Sequence, residues 1–493
     1  MPYTANFGTI PPTDEPIEAP GPETLFRIAV LADFSGRQNR GITRPSKEIA
    51  ALRMVRVSRD TLDEVMAKLG VALKLPFGGD TVKLSFASLD DFHPDQIHDR
   101  VDQIVDLYDS DEKSEAMNSV LHHPDFQALE SAWRGLDWLL GRAVKGSKVE
   151  VHLLDISFAE LAADLKTFNN LAAIGLSQVL IDKGIRGPQG KPWAALVGNY
   201  TFDLTGQHAE LLGRLAKIAA QANAPFLTTV HPKALDASFK LSADAAPAWQ
   251  ALRQLPEAAL LGIALPRFLL RLPYGENTQS IDKFSYEETS RPPDRSQYLW
   301  GNPALACAVL LAQAFHKAGW GCKPGAVADL EDLPIHVFTV DDEEEVTLAE
   351  AWLVRQQVEQ LVKLGIMTFL CVRGKGAMNL LRFMSLAQPT KDKPIRDLQG
   401  HWTDSKIAPT PQAPAKPAPK VGMVGEVPPP QKRPAAPAAP AAPPPQAAPA
   451  AAAPAASAPD ETAPPEPEVA APAEPAAEEE MDADLAALLK QLE

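Results

Sequence analysis

Four short segments of the chain carry residue types that could do chemistry. Gly184-Ile-Arg-Gly-Pro-Gln-Gly190-Lys191-Pro192 has the glycines and lysine of a phosphate-binding loop. It places five residues instead of four between the outer glycines, and Pro192 stands where a metal-binding hydroxyl is required, so a flexible turn is the better reading. Arg373-Gly374-Lys375-Gly376 is basic and follows a predicted strand, but two glycines make no nucleotide fingerprint. It stays an anion-site candidate. His122-His123-Pro124-Asp125 could offer metal ligands, yet adjacent imidazoles in an extended segment diverge and no third ligand stands nearby. Pro and Asp in the opening residues of a helix account for that run better. Glu287-Glu288 would need one face to share a proton, and neighbours on a strand face opposite sides.

Neither a nucleophile elbow nor a paired-histidine zinc helix occurs. Cys307, Cys322 and Cys371 are odd in number and match neither a disulfide framework nor metal-ligand spacing, which suggests core packing. No catalytic residue, metal or cofactor is therefore expected. A structural or assembly role is favoured over an enzyme whose site is built from distant residues.

The elements that would position these residues alternate. Leu25 to Ala32 reads as a strand followed by a turn at Asp33-Phe-Ser-Gly36, and residues 37–50 read as a loop. A short helix is predicted over Thr61 to Leu69, with Asp60 as its cap, and a half-buried strand over Val82 to Phe86. Ile97, Val101, Ile104, Val105 and Tyr108 fall on one face of a predicted amphipathic helix. Charge-rich residues 109–116 mark a boundary. Beyond it come a helix over Asp125 to Leu140, a strand over Val149 to Leu154 and a helix over Phe158 to Phe168. Further strands are predicted at Trp193 to Val197, Pro225 to Val230, Ile335 to Val340 and Ile366 to Val372. Helices at His208 to Ala222, 304–317 and 348–364 separate them. Such alternation implies an α/β layered body.

The chain has 493 residues, and its 63 acids against 47 bases give a formal charge of −16. That argues against nucleic acid as the main ligand. Composition is uneven, since 22 of the 47 prolines fall between Pro409 and Pro475, and residues 460–493 carry 11 acids and one base. Residues 1–23 read as a Pro-rich arm and residues 391–480 as a disordered Pro/Ala-rich linker. Then Met481, Leu485, Leu488, Leu489 and Leu492 recur at helical spacing, so 481–493 reads as a tethered amphipathic helix able to dock on a partner. No secretory leader is visible, and the longest apolar run, Ala304 to Ala312, is short of the ~20 residues of a membrane helix. The expectation is a cytoplasmic protein without membrane insertion.

Two blocks resemble the two contractile-sheath subunit families of the type VI secretion system. Residues 25–108 are similar to the small subunit (TssB or VipA), through Arg27-Ile-Ala-Val-Leu-Ala-Asp33-Phe-Ser-Gly36, Val57 to Leu69, and Val82-Lys-Leu-Ser-Phe86 with Asp91-Phe-His-Pro-Asp95. Residues 118–388 are similar to the large subunit (TssC or VipB). The matching runs include Leu121-His-His-Pro-Asp-Phe126, Leu265-Pro-Arg-Phe-Leu-Leu-Arg-Leu-Pro-Tyr-Gly275, Phe284-Ser-Tyr-Glu-Glu288 and Tyr298-Leu-Trp-Gly-Asn302. This divides the body into a small-subunit-like region at 24–116 and a large-subunit-like α/β domain at 117–390.

The resemblance implies a mechanical role, with copies or separate sheath subunits assembling around a tube of Hcp-like protein. Contraction would eject the tube from a baseplate, and an AAA+ ATPase would recycle spent sheath. An accessory sheath-like adaptor that recruits a partner through its C-terminal helix is the second possibility, because the likeness stops near Ala387. Arg267, Arg271, Glu287 and Glu288 would then be subunit contacts, or else ion pairs within one fold.

Overall fold

The computed structural model describes residues 5–11 and 18–402, except 145, 147, 237 and 392–394. The expected linker beyond 402 and the 481–493 helix, with Met481, Leu485, Leu488, Leu489 and Leu492, lie outside the described residues.

β1 (Phe26–Ala32) is six apolar residues and Arg27, all buried, as a strand covered on both faces must be. α1 (Ser46–Ala51) and β2 (Val55–Val57) follow. The first lies in the stretch read as loop, and its single buried residue, Ile49, leaves too little periodicity to see. α2 (Leu62–Leu69) begins where expected, but Ser58 organises its entry, its N–H donating to Thr61 Oγ1 at 3.1 Å. β3 (Val71–Phe77) and β4 (Asp80–Phe86) form a hairpin with one face on the core.

The helix predicted through residue 108 is broken into α3 (Pro94–His98) and α4 (Asp102–Val105). The bend buries Ile97, Val101 and Ile104 and leaves Val105 half-exposed and Tyr108 fully exposed, so the stripe holds for only three of its five members. The expected boundary at 109–116 is also corrected. Those residues belong to α5 (Ser110–Leu121), which the Asp109 carboxylate caps and which turns its charges to solvent while burying Met117, Val120 and Leu121.

α6 (Pro124–Ala143) buries the expected stripe of Phe126, Leu129, Trp133, Leu136 and Leu140. The central series is β5 (Val149–Asp155), α7 (Phe158–Thr167), α8 (Gly175–Ser177), β6 (Ala195–Phe202), α9 (Gly206–Ala222), β7 (Phe226–Val230), α10 (Ala246–Gln254) and β8 (Leu261–Leu265). β9 (Phe268–Leu269) pairs with β10 (Trp300–Gly301), ahead of α11 (Pro303–Ala318) and β11 (Asp329–Leu330). β12 (His336–Val340) and β13 (Glu343–Thr347) pair only with each other, as a hairpin outside the main sheet. α12 (Arg355–Leu364) is shorter than predicted, because 348–354 is extended and pairs with the 267–269 strand. β14 (Met367–Cys371) and β15 (Met378–Leu380) complete the body.

Nine strands form one sheet in the order β11-β15-β14-β8-β7-β6-β1-β5-β2. β5, β1, β6, β7, β8 and β14 are parallel, so the parallel part runs 2-1-3-4-5-6 and reverses direction at β1. α11 and α6 pack on one face and α7 and α9 on the other, giving two large apolar layers. The α/β expectation is met. β1, from the small-subunit-like region, lies between β5 and β6 of the large-subunit-like region, so the two regions fold as one body.

The ends of that body differ from expectation. Residues 395–402 fall in the predicted linker, yet Ile395, Leu398 and His401 are buried and the Gln399 N–H donates to the Ala259 carbonyl at 2.9 Å. The N-terminal arm is pinned at 6–9: Thr9 exchanges backbone bonds with Asn169 and Leu171, and Phe7 lies against Gly213.

Candidate functional site

The sheet reverses at β1, and in such sheets ligands sit outside the carboxyl ends of the strands at the reversal. A cavity of about 500 Å³ lies there, lined by Asp33, Asn39, Asp125, Tyr200, Arg267 and Asn302 among others. The turn after β1 could offer backbone N–H groups to an anion, and Gly36, at φ +70°, gives it the necessary bend. Those donors are already used. Asp33 accepts from the N–H groups of Arg37 and Gln38 at 2.9 and 2.8 Å, and Asp155 accepts from Ser35 at 3.0 Å. The chain's own carboxylates occupy the anion cradle.

Behind that turn, Arg37 bonds to Asp155 and Glu160, and Arg44 reaches the same Glu160 at 3.1 Å. Burial pushes the Glu160 carboxyl up, but the Arg37 and Arg44 guanidiniums and the Ser157 N–H outweigh it and bring it to about 2. The network ties the β1 turn to the end of β5 and the start of α7, which is a structural assignment.

A second network lies in the 265–288 run. Arg271 bonds Glu288 through both its terminal nitrogens, at 2.7 and 2.9 Å, and Glu130 on α6 through Nε and Nη2, at 2.9 and 3.3 Å. Glu130 is fully buried and also accepts from Arg134 Nε at 2.6 Å. Burial alone would push the Glu130 carboxyl up, but Arg271 and Arg134 hold it below the usual range. Glu288 accepts from the Tyr274 N–H at 2.7 Å, and Arg271 stacks on the Tyr274 ring at 4.3 Å. Arg267 makes a bidentate pair with Glu350 at 2.9 and 2.5 Å.

Of the four candidate contact residues, Arg271 and Glu288 are buried and paired with each other, which is the intramolecular alternative. Arg267 is also paired within the chain but keeps partial exposure, and Glu287 is exposed. Glu287 and Glu288 do point to opposite sides, although their backbone is a loop and not a strand. Sequence reasoning missed Glu130, whose position four residues after Phe126 and three before Trp133 puts it on the buried stripe of α6.

The remaining motifs are structural. The carbonyls of Gly184 and Lys191 accept from Arg27 at 3.2 and 2.5 Å, so that glycine loop wraps a cation. Arg373–Gly376 is the turn between β14 and β15. His123 caps α6, its Nδ1 accepting from the Asp125 N–H at 3.2 Å, which agrees with the helix-entry reading. His122 Nε2 is buried, lacks a hydrogen-bond partner among the described residues and lies 3.9 Å from Glu288. No cluster of metal-ligating side chains and no helix long and apolar enough to cross a membrane occurs among the described residues.

The profile of the VipB family (EvpB tail sheath N-terminal domain) matches residues 104–386. The type VI secretion system VipA profile matches residues 22–130. The type VI secretion system sheath protein TssC1 of Pseudomonas aeruginosa PAO1 is 33% identical over 243 residues, which is 46% of this chain and 49% of that protein. The chain thus spans about half the length of this curated relative.

Proposed function

The chain belongs to the tail-sheath family of the type VI secretion system, and on that membership we propose that it is a structural component of the contractile sheath, with no catalytic role. One observation supports this most directly. β1 comes from the segment matching the small-subunit family, and it is hydrogen-bonded on both sides by strands of the segment matching the large-subunit family. One chain would then supply as a single rigid protomer what those two families contribute.

The proposed partners are other sheath subunits, a tube of Hcp-like protein, the baseplate and an AAA+ ATPase that recycles contracted sheath, all in the cytoplasm. In this reading the work comes from an interface with two discrete packings, repeated through the assembly and switched cooperatively. The internal ion pairs of Arg271 and Arg267 suit such a protomer, because they stiffen the body so that strain falls on contacts between copies. Negative-stain microscopy of the purified chain, alone and with the products of neighbouring genes, tests the proposal. Rings or tubules are expected. Persistent monomers that bind a preformed sheath would make the chain an accessory adaptor instead, and turnover of a small substrate would contradict both.

A further inference from the structure

Two features far apart in role remain unexplained by the fold. The first is a cavity of about 450 Å³ lined by Arg59, Arg134, Asp137, Trp138, Arg142 and Asp332, with Leu89 and Leu270 beside them. Its size falls within the usual range of ligand sites. Arg59 is satisfied by Asp137, in a bidentate pair at 2.7 Å for both contacts, and lies flat on the α6 backbone, where Gly141 leaves it room. Arg142 is different. Its guanidinium donates only to the carbonyls of Glu331 and Asp332, both at 2.6 Å, and covers the Trp138 ring at 4.9 Å. It makes no close ion pair among the described residues, and the nearby Asp332 carboxylate does not offset the burial that lowers its pKa. Trp138 Nε1 is buried there without a hydrogen-bond partner among the described residues. An orphaned buried donor beside an under-neutralised guanidinium favours an anionic acceptor.

The second feature is the β12–β13 hairpin. Its turn and second strand read Asp341-Asp-Glu-Glu-Glu345, five consecutive exposed acids. None makes an ion pair among the described residues. Val340 pairs with Glu343, which leaves Asp341 and Asp342 as a two-residue turn with φ +50° and +67°. Such turns are built most easily with a glycine, and this one has none. Like charges are concentrated at a backbone that itself disfavours them. Folding alone does not call for that choice, whereas a basic partner would.

We propose that the Arg59/Arg134/Arg142 cavity is a carboxylate-binding site and that its occupant is the Asp341–Glu345 hairpin tip of a second copy of the chain. The inference rests on the sheath reading and deepens it by naming one surface through which a protomer meets the next. The contact is head-to-tail, since hairpin and cavity are different patches, and head-to-tail contacts generate rings or helices. Carboxylates of the tip accept from the open edge of the Arg142 guanidinium and, once that side chain shifts off the Trp138 ring, from Trp138 Nε1, while Leu89 and Leu270 exclude water at the margin.

The test uses full-length chains. Glu343→Gln/Glu344→Gln/Glu345→Gln cuts the tip's formal charge from −5 to −2, Arg142→Glu reverses the cavity's cation, and Trp138→Phe removes the indole N–H while keeping an aromatic ring. Sedimentation velocity should show each charge variant self-associating at least tenfold more weakly than the parent, and Trp138→Phe severalfold more weakly. Mixing the two charge variants is the decisive arm. One retains a native cavity and the other a native tip, so they should form 1:1 complexes that do not extend, which a misfolded variant could not do.

Parent-like association of the tip variant, or no complex in the mixture, overturns the contact. A chain whose eleven acids at 460–493 are replaced by amides should associate normally; loss of association there would hand the cavity to the acidic tail and also overturn it. The two readings fail separately. Tubules formed by the tip variant would remove this contact and keep the sheath, and 1:1 pairs in the mixture beside a parent that extends only into open oligomers, never rings or tubules, would do the reverse.

Discussion

Arg271 and Glu288 meet edge to edge inside the body, Nη1 to Oε2 at 2.7 Å and Nη2 to Oε1 at 2.9 Å, with neither residue more than 7% exposed. Removing the cation leaves Glu288 with its Tyr274 N–H and Glu130 with Arg134 alone. Arg271→Met should therefore cost about 3–5 kcal/mol, because an uncompensated buried charge is worse than no pair at all. Replacing Arg271, Glu130 and Glu288 together by apolar residues of similar volume should cost less than the single change. Urea denaturation of the two variants measures the difference, and a single-variant loss below about 1 kcal/mol would show that the network contributes little.

Acid stability should depend on Glu160. Its carboxyl sits at about 2 in the folded chain against an ordinary 4.5. A depressed folded value means that the stabilisation is fully present above pH 4.5 and is lost as pH falls from there toward 2. Glu160→Gln should be less stable at neutral pH and should show a flatter stability profile across that window. Melting temperatures from pH 7 to 2.5 test this, and an unchanged slope in the variant would contradict it.

Gly213 controls the N-terminal arm. A Cβ there would come within 2.1 Å of Phe7 Cδ1, so Gly213→Val must expel the ring. Arg214, which donates to the Asn6 carbonyl at 3.1 Å and to Leu165 and Phe168, keeps its helix in place. Cleavage near residues 5–11 by a nonspecific protease should then accelerate severalfold, with the melting temperature shifting by only a few degrees, about the effect of 1 kcal/mol or less. Arm cleavage at the parental rate would refute the role given to Phe7.

The three cysteines should be inert in the folded chain. Burial raises all of their thiols, Cys322 to about 11 and Cys371 to about 12, and Cys307 is completely buried. Thiolate, the reactive form, is therefore scarce at pH 8. Alkylation at that pH should label none of them within minutes under native conditions and all three in urea, as read by mass spectrometry.

The sequence was most legible where burial imposes a strict period. α6 and α9 each bury one face wide enough to write itself into the spacing of Leu, Phe and Ala, while β1 and α11 are buried nearly all round and show instead as largely apolar runs. It was least legible where charge and structure point in different directions. α5 looks like a boundary because only three of its twelve residues are buried, and the acids that fill β13 give no strand pattern to read. The stripe from Ile97 to Tyr108 misled for the opposite reason, since it continues past a bend that only tertiary contacts reveal. At the candidate site, Arg271 and Glu288 could be singled out from their own run. Glu130 stands more than 130 residues earlier, and pairing at that distance is a property of the fold and not of any local pattern.

β1 also sets a constraint on how the chain is made. Its seven buried residues need β5 and β6 as neighbours, and β6 ends 170 residues downstream of β1, at Phe202. At ordinary synthesis rates that interval is roughly 10–35 s. For most of it, until β5 is complete at Asp155, a sticky hydrophobic segment has left the ribosome without either strand it pairs with. Joining both halves in one polypeptide turns the meeting of β1 with its neighbours into loop closure, whose entropy grows only slowly with length. It also guarantees that every completed molecule contains one of each half, with no surplus of either to aggregate.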